Sequence, residues 1–529
     1  MAKLVTGAVA VLSLAMSGLL PLAGDHVADG AARQATAAYE TAAYETAAYK
    51  TVPTGSAKAG FAAVEPLPAH PNTLRNPVRE NAADPWMVFA EGNYNLLYTH
   101  GDKLVGVSAP SIDGLAAAPQ QTLWQPPAGE ACCNLWAPEI HQLDGKWYLY
   151  YTADNGTDSQ HRMFVLEADH PMGPYTFKAK LDTGDAHSID GSVLKLPDGR
   201  LFHIWSSGRA DGQNLYIAPM SNPWTISGPP ALLARPDQPW EQNGRKVTEA
   251  PVALVHNGKV FIYYSGSACE SPDYSLGVLE LTGTDPLIQT NWTKSGPVFK
   301  RNDAAWVFGT GHNGFFDSPD GKETWLVYHA VTSTNGTPAG SCSAGRTVRV
   351  GKVTYDATGK PQLGTPTAAW QTVTLPSGDP GADIVANGIY EISPKNAPNN
   401  RLEVDACSAA DAATVQVYTR IADSRCQKWR LSYLGDGSYK FLNNDSGKAL
   451  DVSGCSGANA AKVIQWPYWG GDCQEWYLDA IGGGYYKLTS KVGGRVLDVG
   501  GCLTTPGADV DVWPYWQGDC QQWKLEKVG

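Results

Sequence analysis

The sequence predicts an all-β protein, a five-bladed β-propeller followed by a β-trefoil. Two repeats and one absence point there. Five strand–turn–strand units have turn glycines at Gly92, Gly145, Gly199, Gly258 and Gly321, spaced 53, 54, 59 and 63 residues apart. A second series, three units with a 47-residue period, occupies the C-terminal third. Neither series has the 3.6-residue apolar stripe of a helix. Strand-only units repeating every 40 to 60 residues are the mark of propellers and related arrays.

The clearest unit is VTEAPVALVHNGKVFIYYSG (247–266), two strands around Asn257-Gly258. Asn-Gly between apolar runs is the strongest short hairpin signal. The others are DPWMVFAEGNYNLLYTH (84–100), WAPEIHQLDGKWYLYYTA (136–153), DGSVLKLPDGRLFHIWSS (190–207) and HNGFFDSPDGKETWLVYHA (312–330). The first strand of each propeller blade lines the central channel, so equivalent positions converge on the axis. Counting back eight or nine residues from the turn glycine reaches Asp84, Trp136, Asp190, Glu249 and His312. Three carboxylates and a histidine are expected in one cleft.

The flanking segments are read in order. A single cation, Lys3, precedes an apolar run from Leu4 to Leu20, which reads as a secretory signal peptide with its cleavage region over 1–30. Residues 31–63, with the pentads TAAYE TAAYE TAAYK, read as a low-complexity linker. The catalytic propeller is expected over 64–374, a Pro/Gly linker over 375–383 and the trefoil over 384–529. The net charge of −12 argues against nucleic acid or an anionic membrane surface as partner. A secreted, extracellular monomer is expected. Ten cysteines in an exported chain imply disulfides. Three local pairs are expected: Cys407/Cys426, Cys455/Cys473 and Cys502/Cys520. A bridge between the adjacent Cys132 and Cys133 is strained, so bonds from these two to Cys269 and Cys342 are favoured, in either pairing.

Facing carboxylates suit acid/base chemistry on a glycosidic bond. One must stay protonated for the leaving oxygen, one must stay ionised, and a third can raise the pKa of the first by like-charge repulsion. Trp86 and Trp136, beside the cleft, offer faces on which a sugar could stack.

At these residues the sequence resembles glycoside hydrolase family 43. The matching motifs are ADPWM (83–87), LWAPEIH (135–141), SIDGSV (188–193), TEAPV (248–252) and GTGHNG (309–314), in the family's order over about 64–371. The resemblance implies inversion of configuration, with Asp84 as general base, Glu249 as general acid and Asp190 orienting Glu249 and tuning it. It also implies that Arg346 reaches the cleft and that His312 sits on the axis beside a structural calcium ion. The chemistry requires no cofactor, and calcium prefers oxygen ligands to an imidazole nitrogen. Within the family the wording around ACCNLWAPEIH is similar to that of exo-acting arabinofuranosidases. A β-xylosidase or an endo-arabinanase of the same fold is the alternative. A non-catalytic carbohydrate-binding protein is the rival from another class, and the intact Asp84, Asp190 and Glu249 speak against it.

In the C-terminal third, RLEVDAC (401–407), ALDVSGC (449–455) and VLDVGGC (496–502) each precede a polar loop and then CQKW, CQEW or CQQW. The Gln-x-Trp series resembles the ricin-type lectin domain. The resemblance implies sugar sites at Asp451 with Trp466 and at Asp498 with Trp513. The first unit carries Glu403 and Tyr418 there, a departure from the pattern. Trp429, Trp476 and Trp523 read as core. The partner expected for the whole chain is a plant cell-wall polysaccharide or oligosaccharide.

Overall fold

The computed structural model describes residues 72–529 except 130, 333–337, 343–344 and 382. The expected signal peptide and low-complexity linker lie outside the described residues. Among the described residues there are strands and short 3-10 turns and no α-helix.

Five antiparallel sheets form the first domain. Their innermost strands are Ala83–Ala90, Cys133–Leu143, Ile189–Lys195, Thr248–His256 and Val307–Asp317, one for each blade. Each packs on the inner strand of the next blade, and the fifth packs on the first, so the ring is closed. Asn257 and Gly258 have φ of 49° and 77°, the two left-handed residues of a type I′ hairpin. The segment before the first blade also seals the ring. Val78 and Ala82 donate backbone hydrogen bonds to Val348 and Arg346 of the fifth blade, at 2.9 and 3.0 Å.

Every inner strand carries a bulge whose first residue is left-handed. These residues are Asp84, Ala137, Asp190, Ala250 and His312, with φ of 50°, 47°, 55°, 50° and 48°. A bulge takes a backbone N–H out of the ladder, and a buried N–H needs a partner. Four of the five find one on the second strand of the preceding blade. Asp84 donates to His329 Nδ1 (3.1 Å), Ala137 to Thr99 Oγ1 (2.8 Å), Asp190 to Thr152 Oγ1 (3.1 Å) and His312 to Ser265 Oγ (2.8 Å). The fifth, Ala250, donates to Asp190 Oδ2 at 3.2 Å.

This register corrects one expectation. Glu249 is not the equivalent of Asp84 and Asp190. It precedes the left-handed residue and matches Ala83, Trp136, Ile189 and Gly311. The interval from bulge to turn glycine is eight residues in blades one, two and four but nine in blades three and five, so a fixed count slips by one.

The expected cross-pairing of four cysteines is also corrected. Cys132 bonds to Cys133, and Cys269 bonds to Cys342. Cys133 opens the inner strand of blade two, which in a ring of five neighbours neither blade four nor blade five. Cys269 and Cys342 follow the second strands of those two adjoining blades. Their loops meet where Cys342 donates its N–H to Cys269 O at 3.0 Å. A disulfide needs Cα atoms within about 7 Å.

The second domain is a strand barrel in three repeated units. Trp429, Trp476 and Trp523 are fully buried, and their indole N–H groups donate to Leu402 O, Leu450 O and Leu497 O at 2.9, 3.0 and 2.9 Å. The three local disulfides are those expected. The connecting stretch lies along the propeller. Leu375 donates to Asn72 O (3.0 Å), Ser377 donates to Glu323 Oε2 (3.1 Å), and Asp379 Oδ2 accepts from the Ile112 N–H (3.0 Å). Arg75 pairs with Asp479, Lys487 Nζ lies 3.1 Å from Glu80 Oε1, and the Arg495 guanidinium lies 4.1 Å from the Trp306 ring centroid.

Thr152→Val keeps the side-chain shape but removes the acceptor for a buried amide. It should lower stability by about 1–3 kcal/mol in urea unfolding; an unchanged midpoint and slope would show that this amide finds another partner.

Candidate active site

The bulges place Asp84 and Asp190, and Glu249 stands one residue before the third. Asp84 is buried. Its Oδ1 accepts from Arg346 Nη1 at 2.8 Å, with His312 Nδ1 at 3.3 Å, and its Oδ2 accepts from Thr99 Oγ1 at 2.6 Å. Burial would raise its pKa. The Arg346 guanidinium outweighs burial and holds the carboxyl well below the usual range. Burial keeps the histidines themselves low, His329 at about 4, so Arg346 is the permanent cation at this carboxylate. The bonding of His329 agrees. Ser341 Oγ donates to Cys269 O (3.2 Å) and so accepts the Nε2–H of His329 (3.1 Å), leaving Nδ1 to accept the Asp84 amide.

Glu249 has the opposite surroundings. Tyr274 donates its hydroxyl to Oε1 and Gln213 donates its amide to Oε2, both at 2.7 Å. Burial, then the charge of Asp84, push its pKa up to about 7 against the pull of Tyr274, Gln213 and Arg245. Asp190 is also pushed well up, by burial first and the Glu249 charge second. Its Oδ2 accepts from the residue after Glu249, so it abuts the chain that carries the acid. One carboxylate held ionised and another poised near neutrality make an acid/base pair split by environment.

The binding residues divide. Arg346 lies in the cleft, as expected. Trp136 is half-buried, its ring 4.1 Å from that of His161. Trp86 is a correction: it is only 6 % exposed, donates its N–H to Ile140 O (2.8 Å) and packs in the core between the first two blades. It has no open face for a sugar. Thr99, Gln213, Tyr274 and His329 were not singled out from the sequence. Gln213 and Tyr274 lie in other strands and loops with no motif around them. Thr99 and His329 do belong to a repeat, since each ends or nears the end of a second strand.

The surroundings of His312 do not fit calcium well. They offer one carboxylate, already paired with a guanidinium, where that ion takes six to eight oxygens. Asp158, His161 and His187 come close enough to share an ion, but Nδ1 and Nε2 of His161 face Asp158 O and Asn134 O at 2.7 and 3.3 Å.

In the trefoil, Gln474 donates to Asp451 Oδ2 (2.8 Å) and Gln521 donates to Asp498 Oδ2 (2.7 Å). Glu403 has both oxygens taken, by Gln416 (3.0 Å) and Gln427 (2.7 Å). Burial pushes the Asp451 carboxyl up to about 6. Trp466 and Trp513 are half-buried. The more open aromatics are Trp469 and Trp516, 55 % and 50 % exposed and missed in the sequence. Their backbone N–H groups donate to the same two glutamines, both at 2.8 Å.

Both domains have known relatives. Residues 74–361 match glycosyl hydrolases family 43, and residues 366–466 and 472–529 match the ricin-type beta-trefoil lectin domain. The chain is 38 % identical over 325 residues to an extracellular exo-alpha-(1->5)-L-arabinofuranosidase of Streptomyces avermitilis, covering 58 % of this chain and 67 % of that one. It is 34 % identical to the protein of the same name from Streptomyces chartreusis, covering 52 % and 89 %. The crystal structure of an alpha-L-arabinofuranosidase from Lactobacillus brevis superposes with a TM-score of 0.52 at 31 % identity, covering 56 % of this chain and 97 % of that one. With more than half of its length matched, the chain belongs to glycosyl hydrolase family 43 and joins to that propeller a ricin-type β-trefoil lectin domain.

Proposed function

We propose that this glycoside hydrolase is secreted, releases α-L-arabinofuranosyl residues from the non-reducing ends of plant cell-wall polysaccharide with inversion, and is held on that polysaccharide by its trefoil. The observation that carries the reading is the split between Asp84, paired with Arg346 and kept ionised, and Glu249, buried and raised to about 7. The names of the two Streptomyces relatives support the sugar and the site of action. The apolar run after Lys3 supports export. No helix among the described residues is long and apolar enough to cross a membrane.

In this mechanism Asp84 takes a proton from water as the water oxygen bonds to the anomeric carbon. The glycosidic C–O bond breaks on the opposite face, and the leaving oxygen receives the proton of Glu249. Burial and the charge of Asp84 keep the Glu249 carboxyl protonated beforehand, and Asp190 holds the chain beside it through the Ala250 amide. Thr99 and Arg346 fix the plane of the base. Asp84 then releases its proton to solvent, and Glu249 takes one back. Asp451 and Asp498 would take sugar hydroxyls in the trefoil, with the neighbouring tryptophans stacking on the ring.

Proton NMR of the first turnovers on an aryl α-L-arabinofuranoside should show β-arabinose first; the α-anomer appearing first would sink the inverting assignment. Product analysis on arabinan, arabinoxylan and xylan should yield arabinose alone, without short oligosaccharides.

The base works ionised, so its limb in kcat/KM should fall below the usual carboxylate range. The acid works protonated, so activity should be lost as pH rises through about 7. Glu249→Gln should remove that alkaline limb. It should also cut turnover of natural linkages by on the order of 10²–10⁴ while sparing substrates with good leaving groups. Equal loss on both substrate types would count against the acid role.

Because the trefoil packs on the propeller, point variants test the tether better than truncation. Asp451→Ala with Asp498→Ala should leave turnover of a small chromogenic substrate unchanged. Rates on insoluble polysaccharide should fall by on the order of tenfold or more, as local concentration is lost. Unaltered rates on the solid would make the trefoil a structural appendage.

A further inference from the structure

We propose that Tyr274 is a positioning residue for the acid: with Gln213 it clamps both oxygens of Glu249, and the clamp tightens as the acid gives up its proton. The inference rests on the reading of Glu249 as the general acid.

The clamp is built rather than incidental. Gln213 is welded to the strand of Glu249 by two bonds that flank Val247. Its N–H donates to Lys246 O (3.0 Å), and its carbonyl accepts from Thr248 Oγ1 (2.9 Å). Tyr274 comes from the loop that follows the second strand of blade four. That loop is fastened to blade five by the Cys269–Cys342 bridge and by the Gly309 N–H donating to Pro272 O at 3.0 Å. The tyrosine ring stacks on His329, with centroids 5.8 Å apart and planes 15° apart. Its other neighbour is a socket. A Cβ on Gly311 would stand 2.2 Å from Tyr274 Cε1, so only glycine there admits the ring. That glycine lies inside the GTGHNG stretch, next to His312.

The chemistry follows from what both donors prefer. A phenol O–H and an amide N–H bond more strongly to a carboxylate than to a carboxylic acid. As the proton of Glu249 moves to the leaving oxygen, negative charge grows on the carboxyl and both bonds strengthen. An interaction stronger in the transition state than in the ground state accelerates the reaction. Each oxygen keeps a second lone-pair direction, so the clamp also sets which way the acidic proton points. The other titratable groups facing Glu249 are Asp84 from blade one, Asp190 from blade three and Arg245 from the segment just before its own strand. Asp84, held ionised, cannot replace a donor, because it repels a growing negative charge.

The test compares three variants with the intact full-length enzyme on two substrates, an arabino-oligosaccharide and an aryl arabinofuranoside with a good leaving group. Tyr274→Phe should lower kcat on the oligosaccharide by on the order of 10- to 100-fold. It should change KM little, cost less on the activated substrate and move the alkaline limb of kcat/KM to higher pH. Gly311→Ala, which pushes the ring aside without removing the hydroxyl, should reproduce this pattern. Gln213→Leu should shift the limb in the same direction, and its half-buried site limits any effect on folding. Loss shared equally by both substrates with an unmoved limb, in variants that keep the wild-type melting temperature, would overturn the clamp. A melting temperature lowered alongside equal losses would assign Tyr274 to structure alone and overturn it equally. Glu249→Gln separates the two levels. If it retains the alkaline limb, the acid assignment itself falls; if it loses the limb while Tyr274→Phe keeps it in place, only the clamp falls.

Discussion

The bulged amides of the five inner strands are the constraint on which the cleft depends. A left-handed backbone at a residue with a side chain costs of order 1–3 kcal/mol and persists only where its surroundings leave no alternative. Here that conformation occurs five times at φ of 47° to 55°. Each time it takes an N–H out of a ladder inside the protein. Thr99, Thr152, Ser265 and His329 answer four of these groups from the blade before. The fifth is answered by Asp190 itself, so one carboxylate of the site is also a structural acceptor. The bulges are what aim Asp84, Asp190 and His312 at the axis, and the bonds that fix the bulges also fix each blade on the next. Closing the ring and shaping the cleft are one act.

From that frame the division of charge follows. Thr99 Oγ1 accepts the Ala137 amide and donates to Asp84 Oδ2, so a bulge acceptor also orients that carboxylate. Arg346 arrives from the fifth blade, along the same stretch whose backbone pairs with the entry to blade one. Glu249 escapes this cation. Standing one residue out of register with Asp84 and Asp190, it turns instead toward Gln213 and Tyr274, which are neutral. Two carboxyls on one axis thus acquire opposite pKa shifts because one meets a guanidinium and the other meets neutral donors.

The sequence exposed what repeats and hid what closes between repeats. Turn glycines and Gln-x-Trp gave away both architectures, because each is a local requirement of one unit. Asp84, Asp190 and Glu249 were legible as a set for the same reason, yet the single-residue slip of Glu249 was not. Loop lengths between bulge and turn vary by one, and only the pairing shows which residue bulges. Trp86 looked like a sugar platform because it neighbours Asp84. Two residues apart on a regular strand they would share a face, but the bulge between Ala83 and Trp86 breaks that alternation, and Trp86 points between two blades. Cys132–Cys133 was set aside as strained, on a rule that weighs local geometry and ignores that the two candidate partners already neighbour each other. The hydroxyl series Thr99, Thr152, Ser206 and Ser265 was readable at nearly the same spacing as the glycines. It would have located the bulges. Tyr274 and Gln213 had no such signal.

The trefoil applies the same economy with a different side chain. In each unit one buried glutamine reaches two places: its N–H donates to the acid, and its carbonyl oxygen holds the backbone of the residue ahead of it. In the second and third units that residue is an exposed tryptophan, so acid and aromatic are set by one side chain. In the first unit Gln427 holds Ile421 instead, and Glu403 is longer than aspartate by one methylene. The longer arm brings its second oxygen to Gln416, and both acceptors are then spent inside the protein. Ile421 stands in the place of Trp469, so the first unit lacks the exposed aromatic of the other two. One added methylene, with a glutamine placed to meet it, gives the first carboxylate a second internal partner.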